Sequence, residues 1–136
     1  MEPIAINWLA LLAAVVAKQA LGALWFSPVL FVRPWCLLTG IGPAQMKDGF
    51  AKALILDIVG GVVMAFVLAL AVRYAGAHGP VQGAVVGFVS WLGFVAVATL
   101  PMVTFEKRPF ALYAINNGCV LLALLIMGAI LASFPG

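Results

Sequence analysis

Apolar positions run almost without interruption through four stretches of the chain, at about residues 4–26, 50–72, 81–103 and 110–134. At a rise of about 1.5 Å per residue, each is long enough as an α-helix to cross about 30 Å of hydrocarbon. A water-soluble four-helix bundle would instead set apolar stripes against charged faces. The pattern predicts an all-α, antiparallel bundle of four transmembrane helices forming one domain over residues 1–136, since a helix satisfies its own backbone inside lipid.

Helix-breaking residues separate the stretches. Ser27-Pro28 and Arg33-Pro34 mark the exit of helix one, because proline lacks the amide hydrogen that continues the ladder and restricts the residue before it. Gly40, Gly42 and Pro43 break up residues 29–49, so 27–49 is expected to be an interfacial loop. Pro43 can open a short helix carrying Lys47 and Asp48 into helix two. Arg73-Tyr74 closes helix two, and the short linker Gly76-Ala77-His78-Gly79-Pro80 predicts that helices two and three are antiparallel neighbours. Pro101 lies near the end of helix three, and Glu106-Lys107-Arg108-Pro109 turns the chain into helix four.

Composition agrees with lipid as the solvent. Of 136 residues, 66% are hydrophobic and only 8% charged, against roughly a quarter charged in soluble domains. So short a chain cannot bury four all-apolar helices in a soluble core of its own. The first stretch is expected to be a retained helix, because Glu2 lies in what would be a signal peptide's n-region and the apolar run extends to Trp25-Phe26-Ser27-Pro28. Cys36 and Cys119 have neither metal-ligand spacing nor disulfide density and are expected to be reduced and structural.

Basic residues fall unevenly. Arg33, Lys47 and Lys52 follow helix one, Lys107 and Arg108 follow helix three, and Arg73 stands on the opposite side. The positive-inside rule then puts both of those connections in the cytoplasm and both chain ends on the periplasmic side of an inner membrane. A dual topology of opposed copies is the alternative.

Inside lipid there is no hydrophobic drive between helices, so association rests on close van der Waals approach and polar contacts. Small residues recur at four-residue spacing in all four spans: Ala10, Ala14 and Gly22; Gly61, Ala65 and Ala69; Gly83 and Gly87; Ala114 and Gly118, then Gly128 and Ala132. The glycines of these faces, Gly22, Gly61, Gly83, Gly87, Gly118 and Gly128, are the expected contact points of a compact bundle or an oligomer.

Two ionisable residues, Lys18 and Asp57, lie deep in apolar stretches. Either would cost roughly 2.5–3.5 kcal/mol against lipid, so both are expected to face protein or a polar cavity. Lys18 continues the Ala10-Ala14-Gly22 stripe, and Asp57 precedes Gly61 on the other. Each lies about 10–12 Å from the same membrane face, which predicts an ion pair between helices one and two. Snorkelling of Lys18 to the interface is the alternative. A static pin of helix register is preferred to an ion relay, because no other acid or histidine lies within a span.

Trp8, Trp25 and Trp35 are placed to anchor the chain at the interfaces, with Asn7 as the cap of helix one and Trp91 packed mid-span against small residues. Asn116-Asn117 is unusual in an apolar helix. Buried amides need partners and commonly bridge helices, with a share in a ligand or ion site as the alternative. His78 stands alone in a linker and cannot by itself hold a metal. No metal or cofactor is expected, and lipids are the expected contacts.

Asn7-Trp8-Leu9, Gly22-Ala23-Leu24-Trp25-Phe26-Ser27-Pro28, Phe31, Pro34-Trp35 and Ala51-Lys52-Ala53 form the first half of a wider pattern. Trp91-Leu92-Gly93-Phe94, Arg108-Pro109, Ile115-Asn116 and Met127-Gly128-Ala129-Ile130-Leu131 complete it. Together they resemble a small bacterial membrane family, domain of unknown function 1761, over nearly the whole chain and most specifically at Gly-x-x-Trp-Phe-Ser-Pro. The resemblance implies a four-helix inner-membrane protein with no assigned activity or cofactor. Lys18 and Asp57 stand where that pattern is usually neutral, so the resemblance lends the pair no mechanism.

One histidine and four acids cannot assemble a histidine cluster, paired carboxylates or a nucleophile with its base, so an enzyme is not expected. A net charge of +3 with no more than two adjacent basic residues offers no nucleic-acid surface. The chain lacks the helix-one glutamate of small multidrug carriers and the Gly-Gly-Arg and Thr-Thr-Phe-Ser patterns of small fluoride channels. The first reading is a structural or accessory subunit, packing through small-residue faces in a homo-oligomer or a larger membrane complex. The alternative is a small oligomeric channel or carrier using Lys18 and Asp57.

Overall fold

Helix one begins where a side chain can replace its missing carbonyls. Asn7 Oδ1 accepts the amides of Leu9 at 3.1 Å and Ala10 at 3.2 Å, two first-turn donors with no intrahelical partner. The computed structural model describes residues 5–134, so Glu2 and the expected start at Ile4 lie outside the described residues. Among the described residues every regular element is helical: α1 (Trp8–Trp25), α2 (Val32–Thr39), α3 (Pro43–Lys47), α4 (Phe50–Ala75), α5 (Gly79–Trp91), α6 (Pro101–Thr104) and α7 (Phe110–Ser133). Four helical segments are long and apolar enough to cross a membrane: α1, α4, the composite Gly79–Thr104 that contains α5 and α6, and α7.

The connection after α1 is more ordered than its prolines suggest. Residues 32–39, expected as loop, form α2. Pro34 sits in its first turn, where a missing amide hydrogen breaks no bond, so it helps begin a helix here rather than end one. Gly40, at φ 75°, terminates α2 in the left-handed region that glycine reaches without a Cβ clash. Pro43 does open α3, but Gly49 at φ 69° separates it from α4, so Lys47 and Asp48 do not run into the second span. α4 ends at Gly76, φ 68°, whose amide reaches Arg73 O while that of Ala77 reaches Val72 O, both at 3.0 Å. This paired closure occupies the last carbonyls of the helix.

α7 is the central helix, packed on α5, α1 and α4. The expectation that helices two and three are neighbours needs correction: α5 lies principally along α7 and touches α4 far less. Glycine is the reason. A Cβ on Gly83 would overlap the Gly128 carbonyl, one on Gly128 would overlap the Gly83 carbonyl, and one on Gly87 would overlap the Leu124 carbonyl. The backbones therefore touch directly, which is how helices gain contact when no water drives them together.

α1 and α4 pack in the register that their small residues set. Ala10 and Ala14 of α1 and Gly61, Ala65 and Ala69 of α4 are all buried, and Arg73 Nη2 donates to Ala5 O at 2.8 Å beyond the end of the stripe. The core joins these residues to Leu68, Val72, Leu124, Met127 and Leu131. Gly22 differs from its expectation: a Cβ there meets nothing within 4 Å, so it makes no close approach.

These environments separate the glycines. Gly22→Ala should change stability in detergent by no more than about 1 kcal/mol, whereas Gly128→Val should cost about 3 kcal/mol or prevent folding. Thermal melts of the two variants beside the wild type check the contrast, which equal losses would contradict.

Candidate functional site

Two polar clusters lie within the spans. The first joins α1 to α4. Lys18 Nζ donates to Asp57 Oδ1 at 3.4 Å and Oδ2 at 3.5 Å, and to Gln19 Oε1 at 3.4 Å. Gly61, one turn beyond Asp57, makes the approach feasible: a Cβ there would stand 3.3 Å from Lys18 Cδ, so the absent side chain is the room the lysine stem occupies. Lys18 is seven residues from Trp25, which sets the pair about 10 Å inside the level of that anchor.

The two partners differ in environment. The Lys18 side chain is 15% exposed but that of Asp57 is 60% exposed. The lysine is thus held by the bundle, while the carboxylate sits at its surface. Such a geometry fits a register pin with one open side. Every residue of α4 from Phe50 to Gly60 is exposed, and burial begins at Gly61.

The second cluster arises from Pro101. Proline cannot give Val97 O its usual amide, so that carbonyl takes Leu100 N–H at 3.2 Å instead. Ala96 O thereby loses the Leu100 amide it would have bonded, and Tyr113 OH of α7 donates to it at 2.5 Å. A π-helical turn over Leu92–Ala96 precedes this break, the kind of local irregularity that frees carbonyls inside a helix. Thr99 Oγ1 donates to Val95 O at 2.7 Å and accepts Asn117 Nδ2 at 2.7 Å. Trp91 Nε1 donates to Asn117 O at 2.9 Å. Tyr113 and Asn117, four residues apart on one face of α7, satisfy a disrupted helix across the contact.

The sequence-predicted residues therefore part company. Asn117 is 7% exposed and bridges helices. Asn116 points about 100° away, is half-buried, and has no side-chain hydrogen bond among the described residues. Trp25 Nε1 donates to Ile115 O at 2.9 Å, and its ring lies 3.2 Å from where a Gly118 Cβ would be, so Gly118 seats an indole rather than a helix backbone. Trp25 also packs on Phe31, centroids 4.6 Å apart, and Trp35 meets Phe26 edge-on at 6.0 Å. Trp8, 65% exposed, stacks at 6.4 Å on Phe66. Trp91, expected only to pack, is a hydrogen-bond donor. Tyr113 and Thr99 went unnoticed in the sequence, although a tyrosine on one span opposite a proline on another was the available signal.

A family model described as "Protein of unknown function (DUF1761)" matches residues 9–132, so the chain belongs to that family. No curated protein and no solved structure matches.

Two couplings follow. Stability losses from Lys18→Gln and Asp57→Asn should be non-additive by about 0.5–3 kcal/mol in a double-mutant cycle, and strict additivity would contradict the pairing. Tyr113→Phe should cost about 1 kcal/mol in the native chain but clearly less beside Pro101→Ala, which returns an amide to Val97 O and frees Leu100 N–H for Ala96. An equal cost in both backgrounds would refute the carbonyl assignment.

Proposed function

We infer that this member of the family is a structural or accessory membrane subunit that associates through the exposed half of α4. One observation carries the reading. From Phe50 to Gly60 every residue of the helix is exposed, and among them Asp57, 60% exposed, lies about 10 Å inside the Trp25 level. Left against lipid, an ionised carboxylate is unfavourable by kilocalories even with one partner, whereas a second protein surface would cover it. Leu56 and Val59, 61% and 54% exposed, flank it, and Gly60 offers a side on which another helix can approach. A second copy of the chain or a different membrane subunit both fit this face.

The unequal burial of Lys18 and Asp57 also supports a narrower alternative. In an assembly the open carboxylate would line the contact between subunits, where an oligomeric channel or carrier would have its path. The placement of Arg33, Lys47, Lys52, Lys107 and Arg108 after the first and third spans supports a cytoplasmic position for the Trp25 end in an inner membrane, with both chain ends periplasmic.

In a chain whose Cys36 and Cys119 are replaced by alanine, Leu56→Cys and Val59→Cys should form cross-linked products in native membranes. Leu9→Cys, on the exposed side of α1, should not. Cross-linking absent from the α4 positions, or equal at all three, would overturn the reading.

A further inference from the structure

Outside the spans, at the Trp25 end, α2 packs on α7 and is joined to α3 through Gly40 and Gly42. Cys36 Sγ and Met46 Sδ meet at 3.6 Å across the hairpin. The hairpin encloses an open groove of about 780 Å³, with Pro28, Val32, Leu37 and Ile41 among its apolar walls. A second concavity of about 430 Å³ shares Pro43 and Met46 with it and continues to Phe50. Arg33 lines the first and Lys47 the second. Both are exposed, and neither makes a salt bridge or side-chain hydrogen bond among the described residues.

We propose that this hairpin is a binding site for an anionic phospholipid, with Arg33 and Lys47 attracting its phosphate and an acyl chain lying in the adjoining apolar concavities. Position argues for it. Residues 26–49 join the end of α1 to the start of α4, so the groove lies where the headgroups of the surrounding bilayer lie. Chemistry argues for it as well. Each of two apolar concavities that meet at Pro43 and Met46 carries one cation without a partner, which complements a molecule with one anionic end and one hydrocarbon end. Leu37 and Val29, 85% and 81% exposed beside the groove, would be immersed in the same interface. Asp48 is the single acid in the hairpin, and Lys52 follows one turn later, so the local balance favours an anion.

The site is independent of the α4 contact and can be tested apart from it. The full chain, in mild detergent with equal amounts of phosphatidylglycerol and phosphatidylcholine, is examined by native mass spectrometry for retained lipid. The wild type should retain phosphatidylglycerol in preference, and Arg33→Gln and Lys47→Gln should each lower that preference about fivefold. Lys107→Gln removes a positive charge at the same end of the bundle and should leave the preference unchanged. Met46→Trp, which puts a bulky ring where the two concavities meet but keeps both cations, should lower it as well. Equal retention of the two lipids by the wild type would overturn the proposal. So would a preference lost as readily in Lys107→Gln as in Arg33→Gln, or one that Met46→Trp leaves undiminished. A dimer mass with no lipid, accompanied by cross-linking through Leu37→Cys, would assign the groove to a second copy and refute a lipid occupant.

Discussion

Inside hydrocarbon a polar atom has no solvent to turn to, so leaving one without a partner in the protein is costly. That constraint makes the four spans helical in the first place, and it also organises their irregular parts. Pro101 removes one amide, a carbonyl four residues before it takes a substitute, and the carbonyl displaced from that substitute finds Tyr113. Trp25 and Trp91, whose indoles each carry one donor, spend them on carbonyls of α7. The ion pair of Lys18 and Asp57 follows the same logic with full charges. Small residues thus set which faces of α1, α4, α5 and α7 meet and how closely, and polar contacts join those faces.

The two ends of the bundle are consequently unlike. Where Gly83 and Gly87 face Gly128 and Leu124, backbone lies on backbone and no side chain larger than hydrogen fits. Near the Trp25 level, α4 is exposed from Phe50 to Gly60, where Lys18 reaches Asp57 from α1. That half of α4 exposes its residues and the Asp57 carboxylate, whereas the α5–α7 crossing buries its own contact. The chain therefore joins a rigid pair of helices to a half-helix open to further contact.

Much of this was legible in the sequence. Uninterrupted apolar runs establish the spans, because length and all-round hydrophobicity need no tertiary information. The depth of Lys18 and Asp57 was equally accessible: counting residues from the shared end places both at one level. What sequence could not resolve was rotation. Asn116 and Asn117 are adjacent and chemically identical, yet a turn of 100° gives one a buried bridge and leaves the other half-buried. Gly22 and Gly61 likewise both looked like packing positions, and only Gly61 has a neighbour in its space. The helix α2 was hidden because Pro34 reads equally well as a stop or as a first-turn residue. The partnership of α5 with α7 depends on glycines meeting across some 45 residues of chain, which local spacing does not encode.

The claim that charges inside the spans are answered within the chain can be measured in bilayers. Solid-state NMR of protein carrying ¹⁵N-labelled lysine and ¹³C-labelled aspartate reports dipolar coupling between the Lys18 ammonium and the Asp57 carboxyl. The 3.4 Å contact predicts strong dephasing that vanishes in Lys18→Gln. A Lys18 signal without that coupling, in contact instead with water at the headgroups, would show the lysine reaching out to the interface and would contradict the account.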